Sequence, residues 1–179
     1  MKITFDDGYE VAYTLAYPHM KKLRLTGICY IVVDWIGQKD RLKMNQLKEL
    51  VENGWEIASH TLTHPDLTKI PLNQAEIEIA HSKVELELMG FKINTFAYPY
   101  GRFNDEIIEI VKKHYDWARA CYSTITGDSV KETQWTEKAY NLVNMLEGEG
   151  YPAVHSINQP QYRSNISMET FEKLCQTLV

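Results

Sequence analysis

An unbroken apolar run, Thr26 to Val33, restricts the possible folds of this sequence more than any other feature. The run is rich in β-branched and aromatic residues, and strands that are buried on both faces of a parallel sheet have this composition. Shorter strand-like segments recur along the chain, and segments with helical spacing separate them. Because no Gly/Ser-rich linker interrupts this alternation, the sequence predicts an α/β fold, either a barrel or a doubly wound sheet.

Strand-like and helix-like segments alternate over the whole sequence. In the longest predicted helix, Ile77, Ala80, Val84 and Leu88 fall on one stripe, which we expect to face the core. Polar side chains that follow the strands are the candidates for function, because active sites of both folds lie at the C-terminal ends of parallel strands. The predicted strands are 2–5, 26–33, 55–59, 95–98, 117–122 and 151–157, and the predicted helices are 11–23, 45–53, 71–89, 104–113, 131–146 and 167–178.

Composition places the chain among ordinary globular domains. Of its 179 residues, 44% are hydrophobic and 24% are charged, which predicts one core and a single domain over 1–179. The net charge of −5 argues against a nucleic-acid binder, because such proteins present a basic surface to phosphates. No apolar run approaches the ~20 residues that a membrane span requires.

The cysteines and the first residues bear on the compartment in which the protein works. Cys29, Cys121 and Cys175 are odd in number and widely spaced, so we expect buried free thiols and neither a disulfide framework nor a cysteine zinc site. No signal-peptide pattern precedes the first strand. As written, the sequence predicts a cytoplasmic protein, or an exported one if its N-terminus is truncated, and it does not indicate an oligomeric state.

Two adjacent carboxylates, Asp6 and Asp7, follow the first predicted strand and precede Gly8. They repel each other when both are ionised, and a cation beside them relieves that cost. One of them could therefore bind a metal ion while the other acts as a base. Asp-Asp-Gly is also an ordinary turn sequence, so the segment by itself leaves both interpretations open.

A pair of histidines, His60 and His64, follows the strand that ends at Ser59. On a helical turn, residues four apart share a face, so both imidazoles could reach one ion. With Asp7 they would supply two nitrogens and one carboxylate, which leaves open positions for water and substrate. The alternative is a pair of solvent-exposed loop histidines.

Two later strand ends carry weaker signals. The segment from Tyr98 to Gly101 contains a proline and a glycine, and such a turn can aim a peptide N–H at an oxyanion, although most turns of this composition are ordinary connections. His155 lies at the end of a late strand, where an imidazole could protonate a leaving amine near neutral pH. A single histidine at a strand end is more often structural.

Taken in order, these four segments resemble the successive motifs of the polysaccharide deacetylase family, also called the NodB homology domain or carbohydrate esterase family 4. The resemblance covers nearly the whole chain and implies a distorted (β/α) barrel with fewer than eight repeats and parallel strands. It also implies one divalent metal ion held by Asp7, His60 and His64, with zinc as the default and cobalt, nickel or iron as alternatives. The segments read Thr4-Phe5-Asp6-Asp7-Gly8, Ser59-His60-Thr61-Leu62-Thr63-His64, Tyr98-Pro99-Tyr100-Gly101 and Val154-His155.

The same resemblance implies the roles of the remaining site residues. Asp6 would be the base that takes a proton from the attacking water, and the backbone N–H of Tyr100 would stabilise the oxyanion. His155 would protonate the departing sugar nitrogen. The implied activity is metal-dependent hydrolysis of N-acetyl or O-acetyl groups on a sugar or polysaccharide, so the expected partner is an acetylated carbohydrate.

One position departs from the pattern of the family. Many members carry an arginine two residues before the proline of the third motif, where it supports the base, but this chain has Ala97 before Pro99. Arg119, near the end of the next predicted strand, is our candidate replacement. We therefore expect Arg119 to support Asp6.

Two other functions are compatible with the same residues. The first is a metal-dependent hydrolase of small amides or cyclic imides, which would need the same ligands; the compact chain length favours sugar amides over it. The second is a sugar-binding relative that retains the fold and lacks turnover. Asp6 beside Asp7 argues against such a binding protein, because a binding protein needs no base next to a metal ion.

Overall fold

A computed structural model describes residues 3–120, 153–154, 156–157, 165–166, 168–176 and 179 of the chain. The predicted helix 131–146, together with Cys121 and His155, lies outside these residues. The described chain packs as two compact units. The first contains the described residues of Met1–Ile31, Trp35–Ile57 and Ala153–Val179, and the second those of Val32–Asp34 and Ala58–Pro152. The single domain over 1–179 stays a prediction.

Strands and helices alternate along the chain, as the sequence predicts. A π-helical turn, Ala12–Ala16, leads into the first α-helix, and short 3-10 turns lie at Val33–Trp35, Leu67–Lys69 and Pro99–Gly101. No helix in the described part of the chain has the length and apolar composition of a membrane span. The elements are β1 (Ile3–Phe5), α1 (Tyr17–Lys22), β2 (Gly27–Ile31), α2 (Met44–Glu52), β3 (Glu56–Ser59), α3 (Leu72–Leu88), β4 (Thr95–Ala97), α4 (Asp105–His114), β5 (Trp117–Arg119), β6 (Ala153–Val154), β7 (Ser156–Ile157), β8 (Asn165–Ile166) and α5 (Met168–Gln176).

The strands pair in parallel, which confirms that part of the prediction. In the first unit, β1 pairs with β2 and with β6, so that Thr4 lies opposite both Ile28 and Ala153. In the second unit, β4 pairs with β3 and with β5, and Ala97 lies opposite Arg119. The strand order is β2-β1-β6 in the first unit and β3-β4-β5 in the second, while β7 and β8 pair separately. Residues that follow β1, β3 and β4 therefore follow the C-terminal ends of parallel strands, where functional side chains collect in α/β folds.

Aromatic rings fill the core of the first unit. The ring of Phe5 stacks on that of Trp55 with centroids 5.3 Å apart, and it meets Phe171 of α5 at 6.2 Å. Such pairs add to the free energy gained from burying the rings. The thiols of Cys29 and Cys175 are buried and free in the same unit, as the sequence predicts.

Helix α3 contacts the core of the second unit through a different face from the predicted one. The expected stripe was wrong, because Ile77, Val84 and Leu88 are exposed. The buried positions include two polar side chains that find hydrogen-bond partners inside, so polar contacts as well as apolar area determine which face turns inward. The buried residues are Ala75, Glu78, Ile79, Ser82 and Leu86.

A buried hydroxyl network joins α3 to β3 and to the end of α4. The Ser82 hydroxyl lies 2.7 Å from that of Ser59 and 3.2 Å from that of Tyr115. The Tyr115 hydroxyl also donates to the carbonyl oxygen of Ile79 at 2.7 Å. Burial of the phenol raises the pKa of Tyr115 to about 12. The network fixes the end of β3 at the point where the histidine segment begins.

Candidate functional site

The aspartate turn, residues 6–10, follows β1. Asp6 is buried, with 1% of its surface exposed. Asp7 and Gly8 both have left-handed backbone conformations, with φ of 65° and 63°. A Cβ atom on Gly8 would lie 3.1 Å from Cδ1 of Ile31, so the turn favours glycine there for its backbone conformation and for its size.

Arg41 holds this turn from a neighbouring loop. Its Nη1 atom donates a hydrogen bond to the carbonyl oxygen of Asp7 at 2.6 Å. Its guanidinium carbon lies 3.8 Å from the ring centroid of Tyr9 and 4.1 Å from that of Trp35. Both distances are within the range of cation–π attraction. The backbone of the same loop adds a bond from the Leu42 N–H to the Gly8 carbonyl at 2.8 Å, so a single segment fixes the turn.

The histidine loop, residues 60–64, follows β3 and is not helical. This corrects the predicted helical turn, because Thr61 and His64 have left-handed φ values of 70° and 66°. The Thr61 hydroxyl accepts a hydrogen bond from the His64 N–H at 2.9 Å and donates to the carbonyl oxygen of His60. These local bonds replace the helical ones and bring the two rings together.

The two imidazoles meet through their Nε2 atoms, which are 3.2 Å apart. Nδ1 of the buried His60 lies 2.8 Å from the carbonyl oxygen of Ala97. A carbonyl can only accept, so Nδ1 of His60 carries the proton and its Nε2 keeps a lone pair for an electrophile. Two nitrogen ligands on one tetrahedral zinc ion lie about 3.3 Å apart. The pair therefore has the spacing that a metal site requires, and His60 has the required tautomer.

Asp7 remains the third ligand expected from the sequence. It follows β1 in the first unit, whereas both imidazoles follow β3 in the second. Two imidazoles and one carboxylate form the ligand set of many catalytic zinc sites. The residues present thus fit a divalent ion that binds through nitrogen and oxygen.

Tyr100 lies beside the histidine loop, in the turn that follows β4. It has a left-handed backbone conformation, with φ of 59°. Its ring, about half exposed, packs edge-on against His64 with centroids 4.7 Å apart. The guanidinium carbon of Arg102 lies 5.8 Å from the centroid of the same ring, and Arg102 also pairs with Asp66.

Arg119 occupies the last position of β5, directly opposite Ala97 in the sheet register. It is 1% exposed, although it is a large charged residue. Its carbonyl oxygen accepts a hydrogen bond from the Tyr98 N–H at 2.9 Å, so the pairing continues one residue beyond β4. The candidate replacement arginine therefore lies on the strand next to the position where the family's arginine is missing.

Two residues that hold these segments were missed in the sequence. Arg41 follows a polar loop and carries no motif that distinguishes it from a surface arginine. Glu78 lies on α3, and its carboxylate accepts hydrogen bonds from the histidine loop. Its place among Ala75, Ile79 and Ser82 at helical spacing was the available signal, but a charged residue at such a position is ordinarily assigned to solvent.

Comparison with known proteins gives one family. The sequence model described as polysaccharide deacetylase matches residues 1–115. The YxkH protein of Bacillus subtilis (strain 168), provisionally named a polysaccharide deacetylase, is 37% identical over 112 residues, which are 62% of this chain and 40% of that protein. The poly-β-1,6-N-acetyl-D-glucosamine N-deacetylase of Staphylococcus aureus (strain MRSA252) is 32% identical over 126 residues, covering 62% of this chain and 43% of the relative. The chain thus spans less than half the length of either relative.

A solved structure agrees with the sequence comparison. The Streptococcus pyogenes deacetylase PplD, determined in complex with acetate, superimposes with a TM-score of 0.65 at 28% identity. The match covers 66% of this chain and 54% of PplD. The predicted fold class, an α/β distorted barrel with parallel strands and fewer than eight repeats, is confirmed.

Proposed function

We propose that this chain, which belongs to the polysaccharide deacetylase family, is a metal-dependent hydrolase that removes acetyl groups from an acetylated sugar or polysaccharide. The observation that carries the proposal is the pair of imidazoles of His60 and His64, whose Nε2 atoms lie 3.2 Å apart while Nδ1 of His60 is bound to a carbonyl oxygen. The sequence places a buried carboxylate, Asp6, next to the third expected ligand, Asp7, and a sugar-binding protein would not need it. The names of the relatives support an acetylated glucosamine polymer as the substrate class.

The chemistry is hydrolysis of an amide. The oxygen of water adds to the acetyl carbonyl carbon, the C–N bond breaks, and acetate and a free amine leave. A divalent ion held by Asp7, His60 and His64 would polarise the acetyl carbonyl and lower the pKa of the attacking water.

The remaining residues move protons and stabilise charge. Asp6, next to the ligand Asp7, takes the proton of the attacking water. The backbone N–H of Tyr100, in its left-handed turn, donates to the oxyanion. His155, which lies outside the described residues, protonates the departing nitrogen.

Arg119 supports the base in this proposal. A guanidinium that is 1% exposed is costly to bury without a carboxylate in its surroundings. Its register position opposite Ala97 supports the assignment, because the side chain that many family members have at that position is absent here. Loss of the cation would raise the pKa of the base and move the acid limb of the pH–rate profile to higher pH.

The test is acetate release from N-acetylglucosamine oligomers. Release is measured on purified protein, after chelation, and after zinc or cobalt is restored, and we expect loss on chelation and recovery with metal. Asp6→Ala should lower the rate by at least about 100-fold, since general-base catalysis contributes that much. Arg119→Ala should shift the acid limb of the pH–rate profile upward.

Three results would contradict parts of this proposal. Turnover confined to cyclic imides would assign the site to a different amide hydrolase. Absence of bound metal together with absence of turnover would indicate a binding protein. An unchanged pH–rate profile in Arg119→Ala would exclude that residue from supporting the base.

A further inference from the structure

We infer that Glu78 is a positioning residue that sets the separation of His60 and His64 by holding the loop between them. The inference rests on the proposed metal site, because it assigns Glu78 a part in building that site. Glu78 lies on α3, in the second unit, together with both histidines. Its hydrogen bonds go to the backbone of the loop and to the Thr63 hydroxyl, and within the described residues none goes to either imidazole.

The carboxylate of Glu78 accepts three hydrogen bonds from two consecutive loop residues. Oε2 accepts the N–H of Leu62 at 3.0 Å and the N–H of Thr63 at 2.9 Å. Oε1 accepts the Thr63 hydroxyl at 2.7 Å. The middle of the loop is therefore fixed at two successive peptide units, with His64 directly after them and His60 two residues before Leu62.

The loop needs such an acceptor because of its own backbone. Thr61 at φ 70° is a β-branched residue in a conformation that such residues rarely adopt, and His64 is also left-handed. Backbone strain of this kind persists only where the surroundings over-determine it. A carboxylate has enough lone pairs for all three donors, whereas a carbonyl or hydroxyl group does not.

Burial of Glu78 shows that these bonds are the reason for its inward orientation. The residue is 6% exposed and lies on the same face as Ala75, Ile79 and Ser82. A buried carboxylate lowers stability unless hydrogen bonds compensate it, and the loop donors supply that compensation. Neighbouring Glu76 is about half exposed and pairs with Lys113 at 3.7 Å, as a glutamate on a solvent-facing position does.

The consequence for the site is a preorganised pair of ligands. The Nε2 atoms of His60 and His64 lie 3.2 Å apart, close to the separation of two nitrogen ligands on one zinc ion. If the loop were free to adopt other conformations, metal binding would first have to order it, and the affinity would fall. Outer-shell partners of metal ligands commonly contribute about 10–100-fold to metal affinity.

The experiment compares zinc affinity and loop exchange in wild type, Glu78→Ala, Glu78→Gln, Glu78→Asp and the control Glu76→Ala. Zinc affinity is measured by competition with a chelating dye. Hydrogen exchange of the Leu62 and Thr63 amides is measured by NMR on metal-free protein, so one readout does not depend on activity or on metal. Thermal unfolding shows which variants are folded.

We expect Glu78→Ala to bind zinc about 10–100-fold more weakly and to exchange both amides faster. Glu78→Gln keeps an oxygen that can accept both amides, so we expect its zinc affinity within about 3-fold of wild type. Glu78→Asp keeps the charge but is one methylene shorter, and it should weaken zinc binding more than Gln does. Glu76→Ala should match wild type in both measurements.

The outcomes separate this inference from the proposed function. Absence of zinc binding by the wild type would contradict the proposed metal site. Wild-type binding together with unchanged zinc affinity in folded Glu78→Ala would overturn the role of Glu78. If Glu78→Ala does not fold, equal zinc affinity in the Asp and Gln variants would overturn it instead.

Discussion

The aspartate turn and the histidine loop both have left-handed backbone, and side chains of opposite charge hold them in place. Both contain two left-handed residues, one of which is itself a proposed metal ligand, Asp7 in the turn and His64 in the loop. In the aspartate turn, the cation of Arg41 holds a carbonyl oxygen; in the histidine loop, the anion of Glu78 holds two amide N–H groups. In both segments, the backbone group that the turn presents, a carbonyl oxygen or an N–H, determines the charge of the side chain that binds it.

The two segments also differ in how they tolerate left-handed backbone. The aspartate turn has a glycine at one of its two left-handed positions, namely Gly8. The histidine loop has Thr61 and His64, neither of which is glycine, and it compensates with the bonds of the Thr61 hydroxyl. The aspartate turn thus avoids the conformational cost at one of its two positions, while the histidine loop offsets it with side-chain hydrogen bonds.

The largest expected effect comes from removing Arg41. Arg41→Ala loses a hydrogen bond to a charged donor and two cation–π contacts, so we expect unfolding free energy to fall by about 3 kcal/mol. Chemical denaturation measures this change, and acetate release should fall with it as Asp7 loses its support. Arg41→Lys keeps the charge without the planar group, so its unfolding free energy should lie between those of wild type and Arg41→Ala. A loss of unfolding free energy below about 0.5 kcal/mol in Arg41→Ala would show that the aspartate turn does not depend on Arg41.

A smaller effect is expected at Gly8. Gly8→Ala introduces a Cβ atom at φ 63° and 3.1 Å from Ile31, so we expect a loss of about 1–2 kcal/mol in unfolding free energy. Gly37→Ala is the matched control, because Gly37 has φ 77° with nothing within 4 Å of a Cβ position. The difference between the two variants isolates the steric part. Equal losses would mean that backbone conformation accounts for the whole glycine requirement.

The smallest effect concerns Asp66, which follows the histidine loop. Burial would raise the pKa of Asp66, but hydrogen bonds from Thr68, Arg102 and Lys69 outweigh it and lower that pKa to about 2. A lowered folded-state pKa stabilises the fold above the ordinary value of about 3.9, and this stabilisation is lost as pH falls towards 2.

Asp66→Asn should therefore reduce unfolding free energy near neutral pH by about 1 kcal/mol or less, since its cationic partners are largely exposed. Denaturation of both proteins from pH 6 to about pH 2 measures the difference, which should shrink below about pH 4. A difference that is constant over this range would show that the charge of Asp66 does not stabilise the loop end.

Much of the fold could be predicted from the sequence, because the strands are apolar and β-rich. The run at Thr26 marks β2, and Asn104 marks the start of α4, where its side chain accepts from the Ile107 N–H. The inward face of α3 could not be predicted from apolar spacing. The helix has hydrophobic residues on more than one side, and the polar partners of Glu78 and Ser82 exist only once the fold has formed.

The proposed ligands could be found because the two motifs carry them at fixed spacing, whereas the residues that hold them could not. His60 and His64 are recognisable as a pair in the sequence. The loop conformation that joins them, however, depends on Thr61 and on helix α3, which begins eight residues after His64. Arg41 and Glu78 bind backbone atoms of the two segments. Every residue has such atoms, so the sequence does not show which of them are contacted. Contacts of this kind require coordinates.

The pairing of β4 with β5 has a consequence for folding fidelity. Side chains alternate between the faces of a strand, so a shift of β5 by one residue would turn Arg119 to the opposite face and bring Ala118 into its place. A buried guanidinium is costly unless its surroundings compensate it, so the shifted register would lose the surroundings that Arg119 has on its present face. Arg119 thereby penalises the wrong register, and the same charge that we assign to catalysis helps the chain to reject an incorrectly assembled sheet.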